Sequence, residues 1–343
     1  LSLILASSAT AETFRLTAGG PQSASLPWIG IIQTLVVPES NRRLRAMGSE
    51  HDIVWREAYG GSLYKWQNTL EAVEIGLTDI GWVGALWETS KMPLQNVTYY
   101  TPFVSDDPRA VSELMDELHR SDPRMTAAYG ENGVVYLGAP VGIDDYLLMT
   151  KFPVESLADL DGRKIAAPGP AINWLSGTGA VGVSGNLTTY YNELKTGVYD
   201  GVIVFASAAL PGKLYEVAPY VTRAGLGAQY AGALCANEGW YAGLAPEAQD
   251  ALHAGADAAR EWYLSALEGA VATSFKVMGD NGATITMASD DMRAAWAAGM
   301  DNAAKQWAES LDAKGIPGSE VLALYMDSMR AAGATPLRDW DSE

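Results

Sequence analysis

The stretch that decides the fold is Asp159-Leu160-Asp161-Gly162-Arg163-Lys164-Ile165-Ala166. Its companion downstream is Glu193-Leu194-Lys195-Thr196-Gly197-Val198-Tyr199-Asp200-Gly201. In the first, an acidic turn leads into a short strand over Lys164 to Ala166. In the second, a helix over Thr188 to Thr196 gives way to a strand from Gly201 to Phe205. Strands alternating with helices in this way predict a mainly parallel sheet covered on both faces.

The same alternation runs outward from these segments. Phe14 to Ala18 reads as a strand, broken by Gly19-Gly20-Pro21, and a helix follows from Leu26 to about Arg45. Asp52 to Ala58 is a second strand, closed by Gly60-Gly61. Thr69 to Gly76 is helical and hands over to a buried strand, Asp79 to Val83. A helix over Arg109 to Leu118 and strands at Gly133 to Leu137 and Asp144 to Thr150 come next, and Ala171 to Ser176 opens another helix. From Pro246 the pattern changes to long helices: Pro246 to about Val277, a helix capped by Ser289 to about Ala313, and a last one capped by Ser319 to about Ala331. The plan is two α/β lobes followed by a helical tail.

The first residues read as an export signal. Leu1 to Leu5 is apolar, and Ala9-Thr10-Ala11 is an A-x-A cleavage site, so the mature chain is expected to begin near Glu12. The 343 residues favour about two domains and can bury a core without staples. The lone cysteine, Cys235, sits in an apolar Ala-Leu-Cys-Ala context and reads as a small buried hydrophobe. A net charge of -18 argues against nucleic acid and against an anionic membrane surface.

With these segments placed, the chain resembles the DctP-type solute-binding proteins of TRAP transporters. The usual form of the first segment in that family is DLkGlKiR. Further matches follow in order. Gly60-Gly61-Ser62-Leu63-Tyr64 resembles the turn after the second strand, and Glu71 to Ile80 the helix-to-strand step ending in Asp79-Ile80. Thr101-Pro102-Phe103, Leu214 to Val221 and Leu244-Ala245-Pro246-Glu247-Ala248-Gln249 match later family segments. The resemblance implies an α/β, two-lobed periplasmic binding protein of type II-like, DctP-type architecture with long C-terminal helices. It implies lobe I over residues 12–143 plus about 230–269 and lobe II over 144–229 plus about 270–300, with 301–343 packing across the lobes. Such a receptor closes over one small molecule and delivers it to small and large membrane permease subunits. A monomer in the periplasm of a Gram-negative bacterium is expected, with no cofactor, no metal and no nucleic-acid partner.

The chain departs from the family at one position that matters. The family's arginine, which holds a ligand carboxylate, falls at Ala166. Burying a carboxylate without a partner costs roughly 2–5 kcal/mol, so a simple dicarboxylate is disfavoured. The resemblance and the strand ends together nominate Trp28, Trp82, Trp87, Glu88, Asp145, Tyr146, Ala166, Trp174 and Phe205 as ligand-binding residues, with Asp144 beside them. Aromatic faces beside carboxylates suit a small organic amine or other cation. A neutral polyol or an aromatic compound is the alternative. Trp66, Trp240, Trp262, Trp296 and Trp307 read as core.

An enzyme is the competing class. His51, His119 and His253 are far apart in polar or helical surface contexts and make no zinc spacing with the single cysteine. Gly177-Thr178-Gly179-Ala180-Val181-Gly182 spells G-x-G-x-x-G but lacks a preceding strand. Val181-Gly182-Val183-Ser184-Gly185 falls short of a nucleophile elbow. A hydrolase with two paired cleft carboxylates stays open in principle, but no pair stands out.

Overall fold

A computed structural model of the chain describes residues 11–342. The proposed leader, residues 1–11, lies almost wholly outside the described residues. In chain order the strands are Thr13–Gly19 (β1), Asp52–Ala58 (β2), Ile80–Gly84 (β3) and Val134–Gly138 (β4). Gly142–Ile143 (β5), Tyr146–Thr150 (β6), Lys164–Ala167 (β7), Val181–Ser184 (β8) and Gly201–Phe205 (β9) follow. Tyr220–Arg223 (β10), Gln229–Tyr230 (β11), Gly232–Asn237 (β12) and Thr284–Met287 (β13) complete the described set.

The chain divides into two compact units. The first comprises the described residues up to Gly84, Tyr129–Pro140 and Ala233–Glu261. Its sheet has the order β2-β1-β3-β12-β4, with β1 parallel to β2 and β3, and β12 antiparallel to β4. Strand β3 is buried at every position, as a strand covered on both faces must be. The helical run from Pro27 to Ala46 is continuous but loosens into a π turn over Ile32–Val36. Pro38 follows at once; it has no N–H to offer, and the hydrogen-bond ladder shifts where that donor is missing.

The second unit comprises Ala85–Ala128, Val141–Gly232 and the residues from Trp262 onward. Its six-stranded sheet has the order β13-β10-β6-β9-β7-β8, and β5 and β11 form a separate antiparallel ribbon. Strands β7, β8 and β9 run parallel, whereas β6 is antiparallel to both β9 and β10. The sheet is therefore mixed, where the alternation predicts a mainly parallel one. The short strands β8, β10 and β13, of which β8 and β13 are the sheet edges, carry too few apolar residues to stand out in the sequence.

The two signature segments act as scaffolding in this unit. Asp159 closes a capping box with Ser156, Leu160 is fully buried, and Gly162 turns the chain at φ 67°. The Asp200 carboxylate accepts from the Lys164 backbone N–H at 3.0 Å, locking the start of β7 beside the start of β9. Gly197 ends the preceding helix in a left-handed conformation. The glycine-rich run is also structural. Gly177 has φ 74°, and a Cβ there would lie 1.9 Å from the Gly299 carbonyl oxygen.

The C-terminal helices differ from expectation in two places. The helix capped by Ser289 ends at Gly299, and Met300 is extended; a new helix, Ala303–Asp312, begins after an Asn302 cap. The last helix, Gly318–Ala331, is preceded by Pro317 and not by a Ser319 cap, since the Ser319 hydroxyl is bound to Asp312. These helices belong to the second unit. Trp340 anchors the chain end, its indole N–H donating to the Pro102 carbonyl at 2.7 Å.

Candidate ligand-binding residues

Within the first unit, the carboxyl ends of β1, β2 and β3 carry an aromatic group. Trp82 projects from β3 and is 7% exposed. Its ring meets Trp66 edge-on, with centroids 5.4 Å apart. Among the described residues its indole N–H finds no acceptor. Burying a donor without a partner costs about 1–3 kcal/mol. Trp66 is partly exposed beside it, which corrects its reading as core. Trp28 differs from Trp82, because its N–H already donates to Gln22 at 2.9 Å.

Within the second unit, Tyr146, Trp174 and Phe205 come together. Tyr146 and Phe205 are direct partners across the β6–β9 pair, with rings 5.2 Å apart. Trp174 meets Tyr146 edge-on at 5.3 Å and stacks on Tyr99 at 6.2 Å. Trp174 is fully buried, and its N–H donates to the Tyr99 carbonyl at 2.8 Å. Its own carbonyl accepts from Trp296 at 2.7 Å. This aromatic cluster has satisfied its own polar groups where Trp82 has not.

Ala166 lies on β7, next to Val202 of β9, and is fully buried. A Cβ on Gly185 would lie 2.7 Å from the Tyr190 ring and 3.0 Å from Ala166. Trp87 and Glu88 follow β3 in a tight turn; Trp87 is 37% exposed and Glu88 is buried.

The two aspartates have partners. Asp144 accepts from the Ser207 backbone N–H and hydroxyl, and Asp145 accepts from Gly227 N–H at 2.8 Å. Burial raises both pKa values, that of Asp145 to about 7.

Other expectations are corrected here. His119 is fully buried, stacked on Tyr230 with centroids 4.8 Å apart, and burial lowers its pKa to about 4. Its context is a core. Trp262 is 53% exposed and is not core, whereas Trp296 and Trp307 are buried. Cys235 is fully buried. Among the described residues, no group of three or more His, Cys, Asp and Glu side chains could hold a metal ion. No helix among them is long and apolar enough to cross a membrane.

The family model for DctP, the bacterial extracellular solute-binding proteins of family 7, matches residues 48–310. The chain belongs to this family. It is a receptor and not an enzyme. Among curated proteins none matches the chain. Solved structures agree on the fold. A TRAP periplasmic solute-binding protein from Desulfovibrio salexigens is similar with a TM-score of 0.78 and 21% identity, over 93% of this chain and 96% of that one. The ectoine-binding protein of Halomonas elongata gives 0.76 and 20%, over 93% and 100%. A TRAP solute-binding protein from Sulfitobacter, solved with galacturonate, gives 0.72 and 19%, over 92% and 99%. The chain thus has the α/β, two-lobed DctP-type fold.

Proposed function

We propose that this DctP-family receptor serves a TRAP transporter, catching a small neutral solute in the periplasm of a Gram-negative bacterium and passing it to the membrane subunits. The observation that carries the ligand class is Trp82, a buried indole whose N–H has no acceptor among the described residues, edge-on to a partly exposed Trp66. Indole faces stack on the C–H face of a polyol or on a flat ring, and the N–H asks for an oxygen acceptor.

Charged ligands fit less well. Galacturonate, found on the Sulfitobacter protein, carries a carboxylate. Here the family's arginine position is the buried Ala166. An amine needs a counter-ion, and Asp144 and Asp145 already serve Ser207 and Gly227. The remaining nominated residues are Trp28, Trp87, Glu88, Tyr146, Trp174 and Phe205. Of these, the partly exposed Trp87 is the best contact, and Trp174 is the least suited because it is enclosed and fully bonded.

Native mass spectrometry of the purified protein, followed by thermal melts against polyols, amines, acids and aromatics, tests the reading. A ligand at 100 times its Kd adds about 2.7 kcal/mol of stability. A neutral compound should produce that shift and be recovered unchanged. Tight binding of succinate or pyruvate defeats the ligand class, and recovery of a converted product defeats the receptor.

A further inference from the structure

The loop after β2 holds two tyrosines in an unusual state. Gly60 and Gly61 turn the chain with φ 73° and 69°. The turn is pinned to the loop after β1: Gly60 N–H donates to Gln22 at 2.7 Å, Gly61 N–H to Gly20 at 3.1 Å, and Gly20 N–H to Ala58 at 3.1 Å. This brings Tyr59 and Tyr64 onto the glycines of the neighbouring strand ends. A Cβ on Gly20 would lie 2.9 Å from the Tyr59 ring. A Cβ on Gly19 would lie 2.6 Å from the Tyr64 hydroxyl, and one on Gly81 3.1 Å from it. The glycines leave the room that the two phenols occupy.

Both hydroxyls are enclosed, and neither has a hydrogen-bond partner among the described residues. Tyr64 is 7% exposed. Burial raises both phenols well above their ordinary range, and the nearby Tyr59 raises Tyr64 further. They therefore stay protonated and act as donors. A native interior leaves few buried donors unpaired, and each exception calls for a cause. Two such donors lie close enough to interact, beside the carboxyl end of β1, and carboxyl ends of parallel strands are where α/β folds bind ligands.

We propose that the Tyr59 and Tyr64 hydroxyls are a donor pair that reads an uncharged hydroxyl or carbonyl oxygen of the solute. This rests on the ligand class proposed above and adds the residues that select within it. The pair discriminates against analogues lacking that oxygen, because their binding leaves both donors unpaired.

Phenylalanine variants test this in two ways. The first is the melting temperature of ligand-free Tyr59→Phe and Tyr64→Phe. It should be unchanged or raised, because the hydroxyls have no resting partner. A loss of several degrees means that they are bonded at rest, to water or to protein, and overturns the proposal. The second is affinity for myo-inositol, D-galactose, ectoine and D-galacturonate. Any neutral probe that binds the wild type should bind each variant about ten-fold more weakly. Unchanged affinity in both variants overturns the proposal. If Trp82→Phe weakens the same probe while the tyrosine variants do not, the ligand class stands and the donor pair fails. If only galacturonate binds, the ligand class itself fails, and the melts still decide the hydroxyls.

Discussion

The Gly227 backbone N–H donates to a carboxylate oxygen of Asp145 at 2.8 Å, while Gly227 accepts from the Tyr146 N–H at 3.2 Å. The two bonds tie the start of β6 to the segment before β11. Burial is the main reason that the Asp145 pKa rises to about 7; Asp106 and Asp144 add to it, while the Gly227 bond and Arg223 oppose it. The folded protein thus holds this proton where the unfolded chain has lost it. Stability from Asp145 is complete below the ordinary aspartate range and is lost as pH rises through about 7. Urea melts between pH 4 and 8 should show this fall, on the order of a few kcal/mol. In Asp145→Asn the fall should be shallower, leaving the part that Asp144 contributes in the same direction. A profile that does not change between wild type and variant counts against a protonated Asp145.

Much of the fold was legible because its signature residues do backbone work. Asp159 caps a turn, Asp200 holds β7 beside β9, and Asp79 accepts from the Thr17 N–H to hold β3 beside β1. Those roles depend on local spacing, which a sequence displays. The site was less legible, because burial is not local. Trp82 and Trp174 look alike in sequence, yet one lacks an acceptor and the other has one at 2.8 Å. Tyr59 and Tyr64 flank the Gly60-Gly61 turn, and nothing in that local pattern sets their hydroxyls apart. Their meaning comes from the glycines of other strands, Gly19, Gly20 and Gly81. The partners of Asp144 and Asp145, Ser207 and Gly227, lie over sixty residues downstream, so no local pattern displays them.

Trp174 is expected to matter for stability before it matters for binding. It is enclosed by Tyr99 and Tyr146, and it both donates to Tyr99 and accepts from Trp296. Trp174→Ala should cost about 3–5 kcal/mol, the range for large aromatic truncations in a core. Chemical denaturation measures this directly. A cost under about 0.5 kcal/mol, the level of a surface change, would mean that the cluster rearranges freely.

Restoring the family's arginine should fail. Ala166 is fully buried on β7, with Tyr190 packed where Gly185 passes it. Ala166→Arg puts a long cation into a space that the Tyr190 ring and the Tyr199 hydroxyl already crowd. An uncompensated buried charge costs about 3–5 kcal/mol. The variant should melt well below wild type and should not gain succinate binding. Gain of a tight dicarboxylate site without loss of stability would show that the pocket around position 166 opens to admit it.

Salt separates the two ligand classes that the aromatic residues allow. A cation held over an indole face by carboxylates is attracted through charge, and surface attractions are screened within about 10 Å at 0.1 M salt. A neutral solute is held by stacking and hydrogen bonds, which salt leaves nearly untouched. Calorimetry from low to high salt should therefore give a Kd constant within about two-fold. Glu88→Gln and Asp145→Asn should leave that Kd unchanged, because neither carboxylate is asked to pair with the ligand. Trp82→Phe keeps an aromatic face but removes the N–H, and should weaken binding by about 0.5–1.5 kcal/mol, the net value of one hydrogen bond. Trp82→Leu should cost more, since the face is lost as well. Binding that weakens steeply with salt and collapses in Glu88→Gln would instead identify the ligand as a cation, and the indole N–H of Trp82 would then need an acceptor other than the ligand.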